Sequence, residues 1–364
     1  MTRRSVATLP RCSLSSSSRV TKRLLGLLAS LLCPCAVGQG IAPSDLGVGI
    51  GIDHTTVAII INTADPLSLA IGEYYARVRR VPATNVIKVT FPVGQSDMPV
   101  AAFQRIKAEV DSVTPESVQA YALAWTAPYR VGCMSITSAF AFGYDTAYCA
   151  TGCRPTRLSA YFNSESHAPE VELHVRPTIM LAGRSFAEIR AMIDRGVESD
   201  GTYPRGTAYL RITGDKARNS RALMYPQAES VAAGLFEIQI VRQDKLVDRQ
   251  DVMFYFTGAA TIDGLDRLKF LPGAIADHLT SFGGMLTDSP QMSALRWVEA
   301  GATGTYGTVV EPCNFPQKFP HPAIVIGRYL RGETLIEAYW KSVAWPGQGV
   351  FIGEPLAAPF RLRR

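Results

Sequence analysis

Val57-Ala-Ile-Ile-Ile-Asn62 is a continuous, β-branched apolar run, and no other segment constrains the fold as much. A strand of that composition presents no face to water, so it must be covered on both sides, as in a parallel sheet clothed by helices. Asp65-Pro66 follows, and Leu67–Arg80 carries Leu69, Tyr74, Tyr75 and Val78 at helical spacing until Pro82 stops it. Val86–Phe91 returns to strand character, Val100–Val113 reads as a second amphipathic helix and Ala120–Thr126 as a third strand. Strand, helix, strand, helix, strand is the signature of right-handed crossovers into a parallel sheet.

The alternation stops between about 127 and 177, where Gly, Pro and polar residues predict a loop-rich insertion holding three cysteines. A connection that long is usually functional or cross-linked. Beyond it the pattern predicts strands at Thr178–Ala182, Thr207–Thr213, Glu237–Val241, Asp251–Thr257, Gly284–Thr287 and Gly304–Val310. Helices are expected at Ser185–Arg195, with Ser185 and Glu188 as a capping box, and at Ala217–Met224, Ser230–Leu235, Leu271–Thr280, Gln291–Ala300 and Ile324–Ser342. The expected class is α/β, with a mostly parallel, helix-covered sheet and a Cys-containing loop insertion.

Of 364 residues 47% are hydrophobic, which excludes a disordered chain. The formal charge of +6 suggests a polyanion partner until its location is considered. Six of the 37 Lys and Arg lie in residues 1–38 with no acid, leaving 31 basic against 31 acidic residues beyond them. That balance argues against nucleic acid as a partner. Residues 1–38 read as a secretory signal: a basic segment to Arg23, an apolar run Leu24–Ala36, and small Ala36 and Gly38 before Gln39. The run is shorter than the roughly 20 residues a membrane-spanning helix needs. Residues 39–364 are therefore expected to form one exported α/β domain, with no stable membrane span once the signal is removed.

Export leaves Cys133, Cys149, Cys153 and Cys313, an even set that reads as two disulfides of undetermined pairing. Two other readings stay open. Cys149-Ala-Thr-Gly-Cys153 with Cys133 has the spacing of part of a zinc site. Cys313 lies where a strand delivers its last side chains, with Glu311 beside it and His321 eight residues on. A thiolate nucleophile, a His base and an orienting acid, Glu311 or Asp288, compose a hydrolytic site. Arg130, Asp145, Arg154 and Arg157, beside Asn163, are candidates for holding a carboxylate or phosphate through bidentate guanidinium contacts, or for bracing the loop by salt bridges. Asp65, Asp215 and Asp288, each just past a predicted strand, are either helix caps or cation and acid–base groups. His54, His174 and the helix-borne His278 read as structural. No phosphate loop, dinucleotide glycine fingerprint, Gly-x-Ser-x-Gly elbow or His-Glu-x-x-His is present, so no cofactor is expected.

Several blocks resemble an uncharacterised family of exported bacterial proteins from species that carry exosortase sorting systems. They are Tyr129–Ser138, Ser159–Ser164, Asp251–Gly258, Leu279–Gly284, Gln291–Trp297, Gly307–Asn314 and Gly353-Glu-Pro355. The resemblance implies an envelope setting and supplies no activity. More loosely, the alternation is similar to the caspase-like fold of gingipain-type cysteine peptidases, where a His-Gly pair ends one central strand and the nucleophilic Cys ends the next. Here Thr257-Gly258 ends the first, and Leu286-Thr287-Asp288 ends the next without a Cys. That likeness implies either a scaffold without the pair or a different pair, Cys313 with His321. Two functions follow: a cysteine-type hydrolase acting on peptide or envelope polymer, or a disulfide-braced, non-catalytic binding or accessory protein.

Overall fold

In the computed structural model, residues 51–150 and 152–362 are described. The expected signal segment lies outside the described residues. The strands are β1 (Val57–Asn62), β2 (Val86–Val89), β3 (Ala120–Leu123), β4 (Arg130–Val131), β5 (Met134–Ser135), β6 (Thr178–Met180), β7 (Thr207–Ile212), β8 (Glu237–Arg242), β9 (Arg249–Gly258), β10 (Leu268–Leu279), β11 (Gly304–Thr308) and β12 (Gly349–Gly353). Ten of them form one sheet in the order β2-β1-β3-β6-β12-β11-β10-β9-β7-β8, while β4 and β5 pair as a small separate hairpin. All six residues of β1 are buried, as its composition demands.

The strands β2, β1, β3 and β6 are parallel to one another, and so are β11, β10, β9, β7 and β8. Between the two groups, β12 runs antiparallel to β11 over five residue pairs and meets β6 at one parallel-type bridge, Ile352 with Met180. That bridge is a single pair, and the strand's ends show which way it runs. Glu354, just past β12, binds Arg79 at the far end of the helix that returns from β1, whereas the carbonyl of Gly349 accepts from Ser135, beyond the carboxyl end of β3. β12 is thus the one reversed strand, and the carboxyl ends of all the others in the sheet share one edge.

Local signals explain most elements. Asp65 accepts from the backbone N–H of Leu67 at 2.9 Å and Pro66 opens the helix Pro66–Arg79, which stops at Arg80 in a left-handed conformation. Ser185 caps the helix Phe186–Ser199 through Glu188 N, but the Glu188 carboxylate turns back to Arg184 N, so the box is only half formed. The single helix expected over Ile324–Ser342 is two, Pro322–Leu330 and Leu335–Ser342. Gly332 adopts φ +85° between them, and Thr334 with Glu337 forms a complete capping box for the second.

Two expectations are corrected. Leu271–Thr280 is not a helix but the distal part of β10, the longest strand, and 284–287 are turns. Its Ala and Leu residues favour a helix in isolation, yet Gly273–Leu279 is buried in mid-sheet, and burial outweighs propensity differences of a few tenths of a kcal/mol per residue. The insertion is also less loop-like than its composition suggests, since it holds the helix Ile136–Phe142, buried from Ile136 to Ala141. A helix apolar all round leaves no periodic signal to read. Among the described residues no helix is long and apolar enough to cross a membrane.

Beneath the carboxyl edge, Arg221 and Asp277 form a buried ion pair at 2.6 Å, with the two side chains 1% and 0% exposed. Arg221 also donates to the carbonyls of Pro320 and Thr257. Removing one partner strands a charge, so Arg221→Leu is expected to lower unfolding stability by about 3–5 kcal/mol. The double variant Arg221→Leu/Asp277→Leu is expected to lose less than the sum of the single losses, read from urea midpoints.

Candidate functional site at the carboxyl edge

The carboxyl edge collects the groups that the strands deliver, yet most of them are engaged with the chain itself. Thr257, the penultimate residue of β9, accepts from Arg211 Nε at 3.1 Å, and the Arg218 carbonyl sits where a Cβ on Gly258 would be. Past β10, Thr280 accepts from Arg218 Nε at 3.2 Å and donates to Gln291 Oε1 at 2.7 Å. Gly283 and Gly284 lie backbone to backbone against Gly307 of β11, an approach that no side chain would permit. The glycine and threonine positions of the resembling blocks therefore close the edge by packing.

His278 lies in β10, not on a helix, and is fully buried. Its Nδ1 accepts from Trp297 Nε1 at 2.9 Å, so Nε2 carries the proton and donates to the Met292 carbonyl at 3.1 Å. Burial pulls its pKa down to about 3, which keeps the ring neutral and structural.

The cysteines pair as Cys133–Cys149 and Cys153–Cys313. All four sulfurs are consumed, so none is a zinc ligand in this oxidised form. Cys313, read as either a nucleophile or a bridge partner, is bonded to Cys153, and a sulfur in that bridge carries no thiolate. Cys313 and Asn314 take consecutive left-handed conformations, φ 56° and 58°, in the turn that the second bridge holds. Glu311 does not reach His321; its Oε1 accepts from the Cys313 backbone N–H at 2.8 Å. Asp288 accepts a hydrogen bond from the Tyr129 hydroxyl. That bond, with burial as the larger cause, pushes Tyr129 up to about 12. His321 donates its backbone N–H to Ser342 and leaves Nδ1 buried without a partner. Burial first, and the charge of Arg221 second, hold its pKa below the ordinary range. No hydrogen bond joins Cys313, His321, Glu311 and Asp288 into one constellation among the described residues.

The candidate anion cluster is likewise dispersed. Arg157 binds Asp145 at 2.6 Å and stacks 5.3 Å from the Tyr148 ring centroid. Arg130 pairs with Asp97 at 3.4 Å, and Arg154 is exposed immediately after Cys153. Asn163 belongs to a different network, accepting from the buried Arg328, which also grips Glu165 at 2.6 Å. Asp65 caps the helix Pro66–Arg79 by accepting from Leu67 N, while Asp215 accepts from Arg218 N and pairs with the Arg218 guanidinium at 2.7 Å. An open, polar cleft of about 600 Å³ lies beside the edge, lined in part by Arg184, Asp263, Thr287, Ser289, Gln291 and Arg296. It sits where β9 returns to β10 through residues 259–267, a crossover with only one short 3-10 turn in place of a helix.

Sequence reading passed over two side chains of this fold. His167 bonds the buried Glu337 at 3.0 Å, and with Arg361 and Thr334 it holds that carboxyl down to about 2. Lys318 is fully buried with its Nζ unpartnered, 5.1 Å from the Phe315 ring centroid. Nothing in the spacing of Pro316-Gln317-Lys318 separates it from a surface lysine. Burial, opposed weakly by Glu311, lowers the Lys318 amine from 10.5 to about 8. A lysine depressed in the folded state binds fewer protons there than in the unfolded chain, so between pH 8 and 10.5 stability rises with pH. Chemical denaturation across that window should show the wild type gaining about 1–3 kcal/mol relative to Lys318→Met.

No protein-family model matches this sequence, and no curated protein matches it. Among solved structures, the chain is similar to one in the Saccharomyces cerevisiae separase–securin complex, with 9% identity and a TM-score of 0.36. That match covers 70% of this chain and spans 17% of the other.

Proposed function

We propose that this protein is an exported, disulfide-braced binding or accessory protein of the cell envelope, built on an enzyme-like α/β sheet that works without a thiol nucleophile. The observation that carries the reading is the Cys153–Cys313 bridge, which occupies Cys313 in the turn past the carboxyl end of β11. The closed ends of β9 and β10 support it, since Thr257 and Thr280 are held by Arg211 and Arg218 where a catalytic pair would need free side chains. Export rests on the N-terminal signal pattern and on four cysteines paired as two disulfides, and the envelope setting on the resemblance of the sequence blocks. The partner class is a peptide or an envelope polymer, and the polar cleft beside Arg184 and Gln291 is its docking place.

Alkylation of the exported protein without reduction, followed by peptide mapping, should leave all four cysteines unlabelled and return the pairs 133–149 and 153–313. The protein should co-sediment with insoluble peptidoglycan or bind a peptide library, and Arg184→Ala/Arg296→Ala should weaken that binding. Casein hydrolysis that disappears in Cys313→Ala would overturn the reading in favour of a cysteine hydrolase. Opening the longer bridge in Cys153→Ser/Cys313→Ser should cost about 2–5 kcal/mol in denaturant titration.

A further inference from the structure

The polar cleft beside the carboxyl edge is unevenly charged. Two of its lining arginines, Arg184 and Arg296, share one carboxylate: Arg184 Nε lies 2.6 Å from Glu299 Oε1, and Arg296 Nη1 binds Oε2. The Glu299 side chain is 15% exposed, against 56% and 48% for the arginines, so it anchors both guanidiniums from the protein side. No hydrogen bond among the described residues takes the terminal N–H groups of Arg184 or the Nη2 of Arg296. Two cations on one anion leave a positive charge in excess here. Gln291 adds a neutral donor. Its Oε1 is occupied by the Thr280 hydroxyl at 2.7 Å and the Phe282 N–H at 2.9 Å, which leaves the amide nitrogen as its free group. The acids lining the same cleft are Asp263, 3.5 Å from Lys245, and Asp266, which pairs with no cation among the described residues.

We propose that this cleft takes the free C-terminal carboxylate of a short peptide, gripped by the spare N–H groups of Arg184 and Arg296 with the Gln291 amide as a third donor. A planar guanidinium matches a carboxylate with two parallel hydrogen bonds, so a pair of them held by Glu299 fixes its orientation as well as its charge. The acidic residues decide between the two envelope partners. A polyanionic polymer would carry its repeated charges past Asp263 and Asp266, which repel them. A peptide end has one carboxylate, and an amine or basic side chain behind it is matched by Asp266. The volume of about 600 Å³ suits a ligand of a few residues. The inference rests on the reading of this cleft as the docking place and names the group that it recognises.

The test passes a pool of random pentapeptides, prepared in equal amounts as free acids and as C-terminal amides, over the intact, oxidised protein on a support. Mass spectrometry reads what is retained. Free acids are expected to be enriched about tenfold over amides, the scale of one charge-assisted hydrogen bond. Arg184→Ala/Arg296→Ala should remove that preference. Arg184→Lys/Arg296→Lys keeps both charges and the partners of Glu299, and should keep only part of it, because an ammonium lacks the fork. Equal retention of acids and amides by the wild type would overturn the proposal and leave the docking reading in place. A preference undiminished in either variant would have the same effect. Retention of neither pool would remove the docking of peptides itself, and this proposal with it.

Discussion

Arg221 is the side chain through which the second half of the sheet is held together. It lies in the 3-10 segment Arg218–Met224, outside the sheet, and reaches Asp277 of β10, the Thr257 carbonyl of β9 and the Pro320 carbonyl of the loop after β11. Its guanidinium also sits 5.3 Å from the Phe256 ring centroid. A planar fork with five donors suits this position, because a single group can bond in several directions in one plane. Burial pushes the Asp277 carboxyl up, and with Arg221 acting in the opposite direction it stands at about 6. The carboxyl edge over β9, β10 and β11 is organised around that pair.

The same edge is sealed by close backbone packing. Gly258 beneath the Arg218 carbonyl, and Gly284 and Gly307 against each other, are places where a side chain would force strands and loops apart. Their glycines are therefore explained by close approach without any appeal to catalysis. The disulfides add a second constraint at this edge. Cys133–Cys149 closes the insertion upon itself, while Cys153–Cys313 ties the insertion to the turn after β11 across 160 residues. What remains chemically distinctive is an amine and an imidazole, Lys318 and His321, buried behind that turn without partners.

Much of the architecture was legible because its signals are local. The apolar run of β1, the Asp65-Pro66 cap and the Ser185 cap are all visible in a few residues, and each marks an element that exists. The error at Leu268–Leu279 has the opposite origin: alanines and leucines suit a helix, and only mid-sheet burial makes them a strand. That displaced the expected strand end from Leu279 to Thr287, and so put Asp288 in the wrong place. The site was less legible than the fold. Glu311 and Cys313 are neighbours as expected, but the carboxylate bonds the backbone of Cys313, and no spacing rule reveals that choice.

The sequence by itself determined the class of fold, because two-faced burial of apolar strands and helical periodicity are properties of short segments. It also determined that four cysteines beyond residue 38 form an even set. The tertiary structure decided which cysteines meet, which direction β12 runs, and whether Cys313 has a thiol to offer. It also decided that Lys318 lies buried and unpaired while Lys341 finds Glu333. Each of these depends on contacts between residues far apart in the chain, where proximity is set by packing the whole sheet and leaves no trace in local composition.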